Sequence, residues 1–283
     1  MNEGQVHLAV NGSIASVLFD RPSARNAMTW GMYQQLNDIC AQLRNDSSVR
    51  VATFRGAGGQ AFVAGTDISQ FAHFSNGNDG IAYEHQIDEC ISQLESLPIP
   101  TIAVVEGWAV GGGLAIATAC DFRIGTLDSR LGVPIAKTLG NCLSLANLAR
   151  LSAAFGVPRV KRMLLLAEIL QAEESRECGF FLEICEANKI DLTLSTLSQR
   201  LSELASTTQN VSKEGLRRLV SRSLPADEDL IRLCYGSEDF QDGVAAFIAK
   251  RPMVWSRSSE RLPQSIDLKD FAQKPTGEEQ NRL

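Results

Sequence analysis

AVVEGWAVGGGLAIATACD, residues 103–121, places three glycines between two apolar runs. The run that begins at Thr101 has the length and β-branched content of a buried strand, and LAIATA after the glycines reads as a buried helix. A glycine turn from strand into helix has two physical uses. It exposes N–H groups at a helix start, where the dipole favours negative charge. It also lets helix and sheet approach closely. The helix has no acidic residue in its first turns, because Leu114 and Ala115 follow the glycines directly.

The flanking segments repeat this alternation. Val6–Val10 and Ile14–Phe19 read as strands joined by the turn signal NGS. Thr29 is placed to cap a helix whose face carries Met32, Leu36, Ile39 and Leu43. VRVATFRG (residues 49–56) is a strand, and AFVAG (residues 61–65) reads as another. Phe74–Gly80 is rich in Gly and Asn and predicts a mobile loop. Ile87, Ile91, Leu94 and Leu97 then mark an amphipathic helix over residues 81–97, stopped by Pro98 and Pro100. DFRIGT (residues 121–126) is a further short strand. Strands alternating with helices predict an α/β fold with a parallel sheet and right-handed crossovers.

From about Leu143 the chain becomes rich in Leu, Ala, Glu and Arg at helical spacing. The expected organisation is an α/β core over residues 1–195, a C-terminal helical region over 196–256, and a polar tail over 257–283. The tail has few apolar anchors and is expected to be disordered or loosely docked.

Composition narrows the function classes. The 283 residues are 44% apolar and 21% charged, with a formal net charge of −6. An acidic chain lacks the basic face that general nucleic-acid binding needs. No apolar run approaches the roughly 20 residues of a membrane span, and the N-terminus has no signal-peptide pattern, so a cytoplasmic location is expected. The seven cysteines form no C-x-x-C pair and, with three histidines, no zinc spacing; free thiols and no metal are expected.

Two glycine motifs remain. Gly56, Gly58 and Ala61 formally fit a dinucleotide-binding pattern, but AFVAG after them is β-like, whereas that site must open a helix. They read as a tight turn, not a nicotinamide site. AFVAGTDI ends in a glycine turn at Gly65–Thr66, where Asp67 can cap the next segment. Taken with Gly111–Gly113, it offers two N–H donors from two β-to-α turns of one parallel sheet. Donors converging in this way form an oxyanion hole.

RPSARNAM, AFVAGTDI, EGWAVGGGLAIATACDFRIG and the late EDFQDGVAAFIAKR resemble, in order and spacing, the crotonase superfamily, the enoyl-CoA hydratase/isomerase family. The resemblance covers residues 6–251. It implies a crotonase-like spiral of ββα units with a C-terminal helical region, assembled as a homotrimer or a dimer of trimers. It implies an acyl-CoA thioester as substrate and no separate cofactor, coenzyme A being part of that substrate. The N–H groups of Thr66 and Gly112 would hold the thioester carbonyl. Arg25, Ala27, Ala64, Gly65, Asp67, Ile68, Ser69 and Gly111 would line the coenzyme A path. Lys250, on the last predicted helix, would approach the coenzyme A phosphates.

The chain departs from the pattern at two points. Hydratases of the family carry a glutamate two residues beyond the glycine triplet and another after a proline past the next strand. Ala115 and Ile135 stand there in this sequence. General acids and bases contribute roughly 10²–10⁴-fold each, so the usual hydration is expected to suffer. IAKTLGNCLS (residues 135–144) offers Lys137, Thr138, Asn141 and Cys142 instead, with Asn141 or Thr138 placed to orient water or substrate. The helix over 81–97 adds Glu84, His85, Asp88 and Glu89. The expected activity is that of a lyase or isomerase on acyl-CoA through an oxyanion intermediate. The alternatives are a decarboxylase, a thioesterase, or a coenzyme A-ester-binding trimer without catalysis.

Overall fold

The computed structural model of the chain describes residues 3–253 and Trp255. The expected tail over 257–283 lies outside the described residues. The strands are β1 (Gln5–Asn11), β2 (Ile14–Asp20), β3 (Val51–Gly56), β4 (Ala61–Val63), β5 (Thr101–Val105), β6 (Trp108–Val110), β7 (Phe122–Thr126), β8 (Arg130–Gly132), β9 (Ile169–Gln171) and β10 (Glu183–Cys185). They form two sheets, ordered β1-β2-β3-β5-β7-β10 and β4-β6-β8-β9. All pairs are parallel except β1 with β2 and β8 with β9.

The helices are α1 (Trp30–Asn45), α2 (Gly77–Glu95), α3 (Gly112–Ala119), α4 (Ile135–Thr138), α5 (Leu145–Phe155), α6 (Val157–Leu165), α7 (Ala172–Glu177), α8 (Ile190–Ser202), α9 (Ser206–Val220), α10 (Glu228–Tyr235) and α11 (Glu238–Ile248). No described helix is long and apolar enough to cross a membrane.

The repeat is a ββα unit. β3, β5 and β7 lie side by side in the first sheet, and each is followed by a three-residue strand, β4, β6 or β8, in the second. A helix follows each short strand. This is the crotonase-like spiral. The expected β-to-α alternation holds, but each unit turns a corner into a second sheet. Strand β4 ends at Val63, two residues short of the expected Gly65. β9 and β10 interrupt the half that composition marks as helical.

Fully buried strands such as TIAVV and VATF give the core its apolar centre, which α1, α2 and α3 cover with Leu36, Ile91, Leu94 and Ile116. Thr29 caps α1 as expected, accepting from Met32 N. The expected boundary at residues 195/196 falls inside α8, which packs against β3, β5 and β7.

Phe74–Gly80 is not the mobile loop its composition predicts. Helix α2 begins at Gly77, and a capping box between Asn76 and Asp79 starts it. The capping box satisfies the first free N–H groups of the helix. The two glycines that suggested mobility are instead close-packing residues. A Cβ on Gly77 would lie 2.7 Å from Arg232 Cα, and one on Gly80 would lie 2.6 Å from the Tyr235 ring carbon Cδ2. Glycine here lets α10 lie directly on α2.

Gly80→Ala should therefore destabilise the protein by about 1–3 kcal/mol, because overpacking outweighs the gain in helix propensity. Gly215→Ala in α9, where a Cβ meets nothing within 4 Å, should stabilise it by about 0.4–1 kcal/mol. Urea unfolding of both variants checks the contrast.

Candidate functional site

Three adjacent strand ends build the site. β4, β6 and β8 are parallel neighbours, paired Ala61 with Trp108 and Trp108 with Arg130. Their carboxyl ends therefore release Gly65–Thr66, Gly111–Gly112 and Pro134–Ile135 side by side. All six residues line one cavity of about 180 Å³. Phe71, Tyr83, Glu84, Ile87, Ala115 and Leu139 supply much of the remaining wall.

The backbone leaves two N–H groups directed away from their own strands. Met28 bridges Thr66 by donating to Gly65 O and accepting from Asp67 N, each at 2.8 Å. In a parallel bridge of this kind the flanking residues are bonded, so the Thr66 N–H points to the opposite side. Gly112 is the first residue of α3, and its N–H has no intrahelical acceptor. A Cβ built on Gly112 would lie 3.9 Å from Thr66 N, so the two turns are in contact.

Each glycine of the triplet has its own reason. Gly111 sits at φ +53°, a conformation costly for a side chain. A Cβ on Gly112 would come within 2.7 Å of the Tyr33 hydroxyl. One on Gly113 would come within 2.8 Å of Val63 Cβ, so Gly113 lets α3 pack on β4.

Two hydrogen-bonded groups lie behind this backbone. In the first, the Thr66 hydroxyl joins Tyr33 Oη at 2.8 Å and Tyr83 Oη at 2.9 Å. Burial pushes both tyrosines up, so they stay protonated. In the second, Glu84 is 1% exposed. Its Oε1 accepts from Tyr235 Oη at 2.6 Å and its Oε2 from Ser144 N at 3.1 Å. Burial pushes its carboxyl up to about 8, against the pull of those two hydrogen bonds. Glu84 lies on the buried face of α2 with Ile87, Ile91 and Leu94. That position on the i, i+3, i+7 stripe is the signal by which the sequence marks Glu84 as inward-facing.

The other predicted residues separate cleanly. Ala64, Ile68, Thr138 and Asn141 line the cavity. The Thr138 hydroxyl donates to Pro134 O at 3.0 Å. Asn141 Nδ2 donates to Tyr235 Oη at 3.3 Å, and its buried Oδ1 has no partner. Arg25, Ala27, Asp67 and Ser69 lie beside the cavity and not in its wall. Arg25 O accepts from Ala64 N at 3.0 Å, and Arg21 Nη1 donates to Ala27 O at 3.1 Å. Asp67 caps the following turn through Ser69 N and pairs with Arg21 at 2.7 Å.

On α2, His85 and Glu89 are exposed, and Asp88 pairs with Arg150. Lys137 is exposed. Lys250 is exposed and sits just past the end of α11, at φ +51°, instead of on the helix. Cys142 is pushed up by its contact with Cys234 and by burial, so it stays a thiol and is no nucleophile. All seven cysteines are free.

The family model described as enoyl-CoA hydratase/isomerase matches residues 9–258. A short-chain-enoyl-CoA hydratase of Clostridium acetobutylicum is 29% identical over 255 residues, spanning 89% of this chain and 97% of that protein. The mitochondrial enoyl-CoA hydratase domain-containing protein 2 of Mus musculus is 30% identical over 249 residues, spanning 85% and 83%. Among solved structures, an enoyl-CoA hydratase/carnithine racemase from Magnetospirillum magneticum is similar with a TM-score of 0.73 at 28% identity, covering 91% of this chain and 97% of that one. A methylmalonyl-CoA decarboxylase complexed with 2S-carboxypropyl-CoA shares the fold, with a TM-score of 0.82 at 24% identity, covering 89% and 98%.

The Glu84 environment sets a pH dependence of stability. An unfolded Glu84 ionises near its ordinary value of 4.5, whereas the folded one keeps its proton to about 8. Between those values the folded state binds more protons, so this contribution to stability falls as pH rises. Glu84→Gln has no such dependence. The variant should gain on the parent by about 1.4 kcal/mol per pH unit in that window, with no further change above it. Urea unfolding of both proteins from pH 5 to 9 measures the difference.

Proposed function

The chain belongs to the enoyl-CoA hydratase/isomerase family, and on that premise we propose that it binds an acyl-CoA thioester with its carbonyl oxygen between the N–H groups of Thr66 and Gly112. The observation that supports this reading is the contact between the two turns, which brings two residues whose N–H groups have no strand or helix partner to the wall of one cavity. Such donors stabilise negative charge on the oxygen where water is excluded, often the largest single electrostatic contribution to acyl chemistry. The Thr66 hydroxyl, bonded to Tyr33 and Tyr83, holds one turn in place. Glycine at 112 keeps the other open to the oxygen.

The reaction then passes through an enolate or another carbonyl oxyanion. Ala115 and Ile135 line the same cavity with apolar groups, where hydratases of the family carry carboxylates. Hydration by that pair of glutamates is therefore not the reading we adopt. The apolar wall favours a second reading, decarboxylation of a malonyl-type thioester, because loss of CO₂ leaves the enolate without a base at either position. Neither reaction calls for a cofactor beyond coenzyme A itself. The cavity wall includes Phe247 from α11, and Arg25, Ala27, Asp67, Ser69 and Lys250 remain our candidates for the coenzyme A path outside it. A homotrimer or dimer of trimers is what the family resemblance implies, and exposed large apolar residues such as Leu165, Leu166, Leu192, Val211 and Leu219 are available for contacts between copies.

Mass spectrometry of products from a panel of acyl-CoA thioesters, including crotonyl- and malonyl-type esters, identifies the reaction. On the thioester that turns over, Gly112→Pro made in a Tyr33→Phe background should slow turnover by about 10²–10³-fold relative to Tyr33→Phe alone. Proline suits the first position of a helix and replaces its N–H with a ring carbon, and the phenylalanine removes the hydroxyl that the ring's Cβ would meet at 2.7 Å. An unchanged rate overturns the oxyanion assignment, and failure of calorimetry to detect any acyl-CoA overturns the thioester reading.

A further inference from the structure

We propose that Glu84, held by Tyr235 and the Ser144 N–H, is the proton-transfer residue of this site, acting at the carbon next to the thioester carbonyl. The inference rests on the thioester reading above. It assigns to α2 and α10 the chemistry that is missing at Ala115 and Ile135.

Among the described residues lining the cavity, Glu84 is the one carboxyl, and the lining includes no His, Lys, Arg or Cys. The other titratable group in the wall is Tyr83, pushed well above its ordinary value by burial. Thr138 is bonded to Pro134 O. A proton that leaves or reaches the substrate inside this cavity therefore has one carboxyl to use.

Position supports the choice. Tyr83 precedes Glu84 on α2, and its hydroxyl bonds to Thr66, the residue whose N–H would hold the carbonyl. The Tyr83 and Tyr235 rings are 6.0 Å apart between centroids. Tyr235 Oη in turn reaches Glu84 Oε1 at 2.6 Å. The helix turn that carries Glu84 is thus tied to the carbonyl-binding turn by the adjacent Tyr83, and the carboxyl itself is held in orientation by Tyr235. Asn141 contributes a buried Oδ1 without a partner at the same place, beside Tyr235, an acceptor for a hydroxyl or water brought in with the substrate.

The step balances. Glu84 as carboxylate takes the proton from the α-carbon. The C–H electron pair moves into the C–C bond to the carbonyl carbon, and the carbonyl pair moves onto oxygen, which Thr66 and Gly112 hold. Glu84, now a carboxylic acid, returns a proton to that carbon in the reverse direction. After decarboxylation, the same acid supplies the proton that quenches the enolate.

The groups around Glu84 set its titration. From α2 itself comes Asp88, and from the turn before α10 comes Asp227; both negative charges raise Glu84. Arg150 of α5 offsets Asp88 by pairing with it at 3.5 Å. Tyr235 and the Ser144 N–H favour the carboxylate, while burial, the largest influence, disfavours it. The thiols Cys142 and Cys234 and the tyrosines Tyr33 and Tyr83 complete the titratable surroundings.

Exchange of α-hydrogens tests the assignment without knowledge of the overall reaction. Butyryl-CoA incubated with the protein in D₂O and followed by NMR should take up deuterium at its α-carbon, at a rate that rises with pH through about 8. Glu84→Gln should cut that rate by about 10²-fold or more while calorimetry shows butyryl-CoA still bound. Exchange within tenfold of the parent in a bound, folded Glu84→Gln protein overturns the assignment, as does a parent that binds butyryl-CoA but exchanges nothing. If Glu84→Gln does not fold, Tyr235→Phe gives the answer. It removes a hydrogen bond that favours the carboxylate, so the rising limb should move to higher pH. An unmoved limb overturns the assignment. A protein that binds no acyl-CoA at all overturns the thioester reading, and this inference with it.

Discussion

The parallel pairing of β4, β6 and β8 is the constraint on which the site depends. Each is only three residues long, and such strands are not stable on their own. Their register is imposed from outside. β3, β5 and β7 deliver them at fixed spacing, and close contacts keep the corners tight. A Cβ on Gly107 would lie 2.7 Å from the Gln60 carbonyl carbon, and one on Gly113 would lie 2.8 Å from Val63 Cβ. Arg55 ties the same corner by bonding Glu106 at 2.5 and 2.9 Å. A one-residue slip would turn Thr66 or Gly112 to the opposite face. The contact between the two turns would then be lost even though every residue was still present.

Burial explains the electrostatics of the cavity. Phe71, Phe74, Tyr83, Tyr235 and Phe240 form a connected set of ring contacts around one side of it. In such surroundings a charge is disfavoured and a hydrogen bond is stronger than in water. Tyr33, Thr66 and Tyr83 satisfy one another's hydroxyls, and Glu84 has a donor on each oxygen. The exception is Asn141 Oδ1, which is buried and unpaired. A buried acceptor without a partner is costly, and this one belongs to a residue of the cavity wall.

Much of this was legible in the sequence because the relevant patterns are local. The strand TIAVV, the helix with Met32 to Leu43, and the two glycine turns each carry their own signal. The second sheet was not legible. WAV and RLG are too short to show a period, so the strand before the glycine triplet merges with TIAVVEG on inspection. Phe74–Gly80 misleads for a related reason. Glycine reports the absence of a side chain, and only the position of Tyr235, 155 residues beyond Gly80, shows that the absence serves packing. Glu84 lies between these cases. Its spacing from Ile87 and Ile91 fits the buried stripe of α2, but the sequence alone does not separate it from His85, Asp88 and Glu89, and its partners Ser144 and Tyr235 are 60 and 151 residues away.

The two proposed halves of the chemistry are held by different parts of the fold. The N–H groups of Thr66 and Gly112 are set by strand register inside the ββα spiral. Glu84 is set by the contact of α2 with α10 and by Ser144 at the start of α5, and both partners lie beyond the spiral's three repeats. The α2–α10 contact in turn needs glycine at 77 and 80, because a side chain at either would push α10 away. Spreading α10 from α2 would remove Tyr235 from Glu84 and leave the strand register untouched. The two sets of contacts meet at one hydrogen bond, from the Tyr83 hydroxyl beside Glu84 to Thr66. The proposed carbonyl-binding turns thus rest on strand register, and the proposed proton-transfer residue rests on helix packing that glycine at 77 and 80 makes possible.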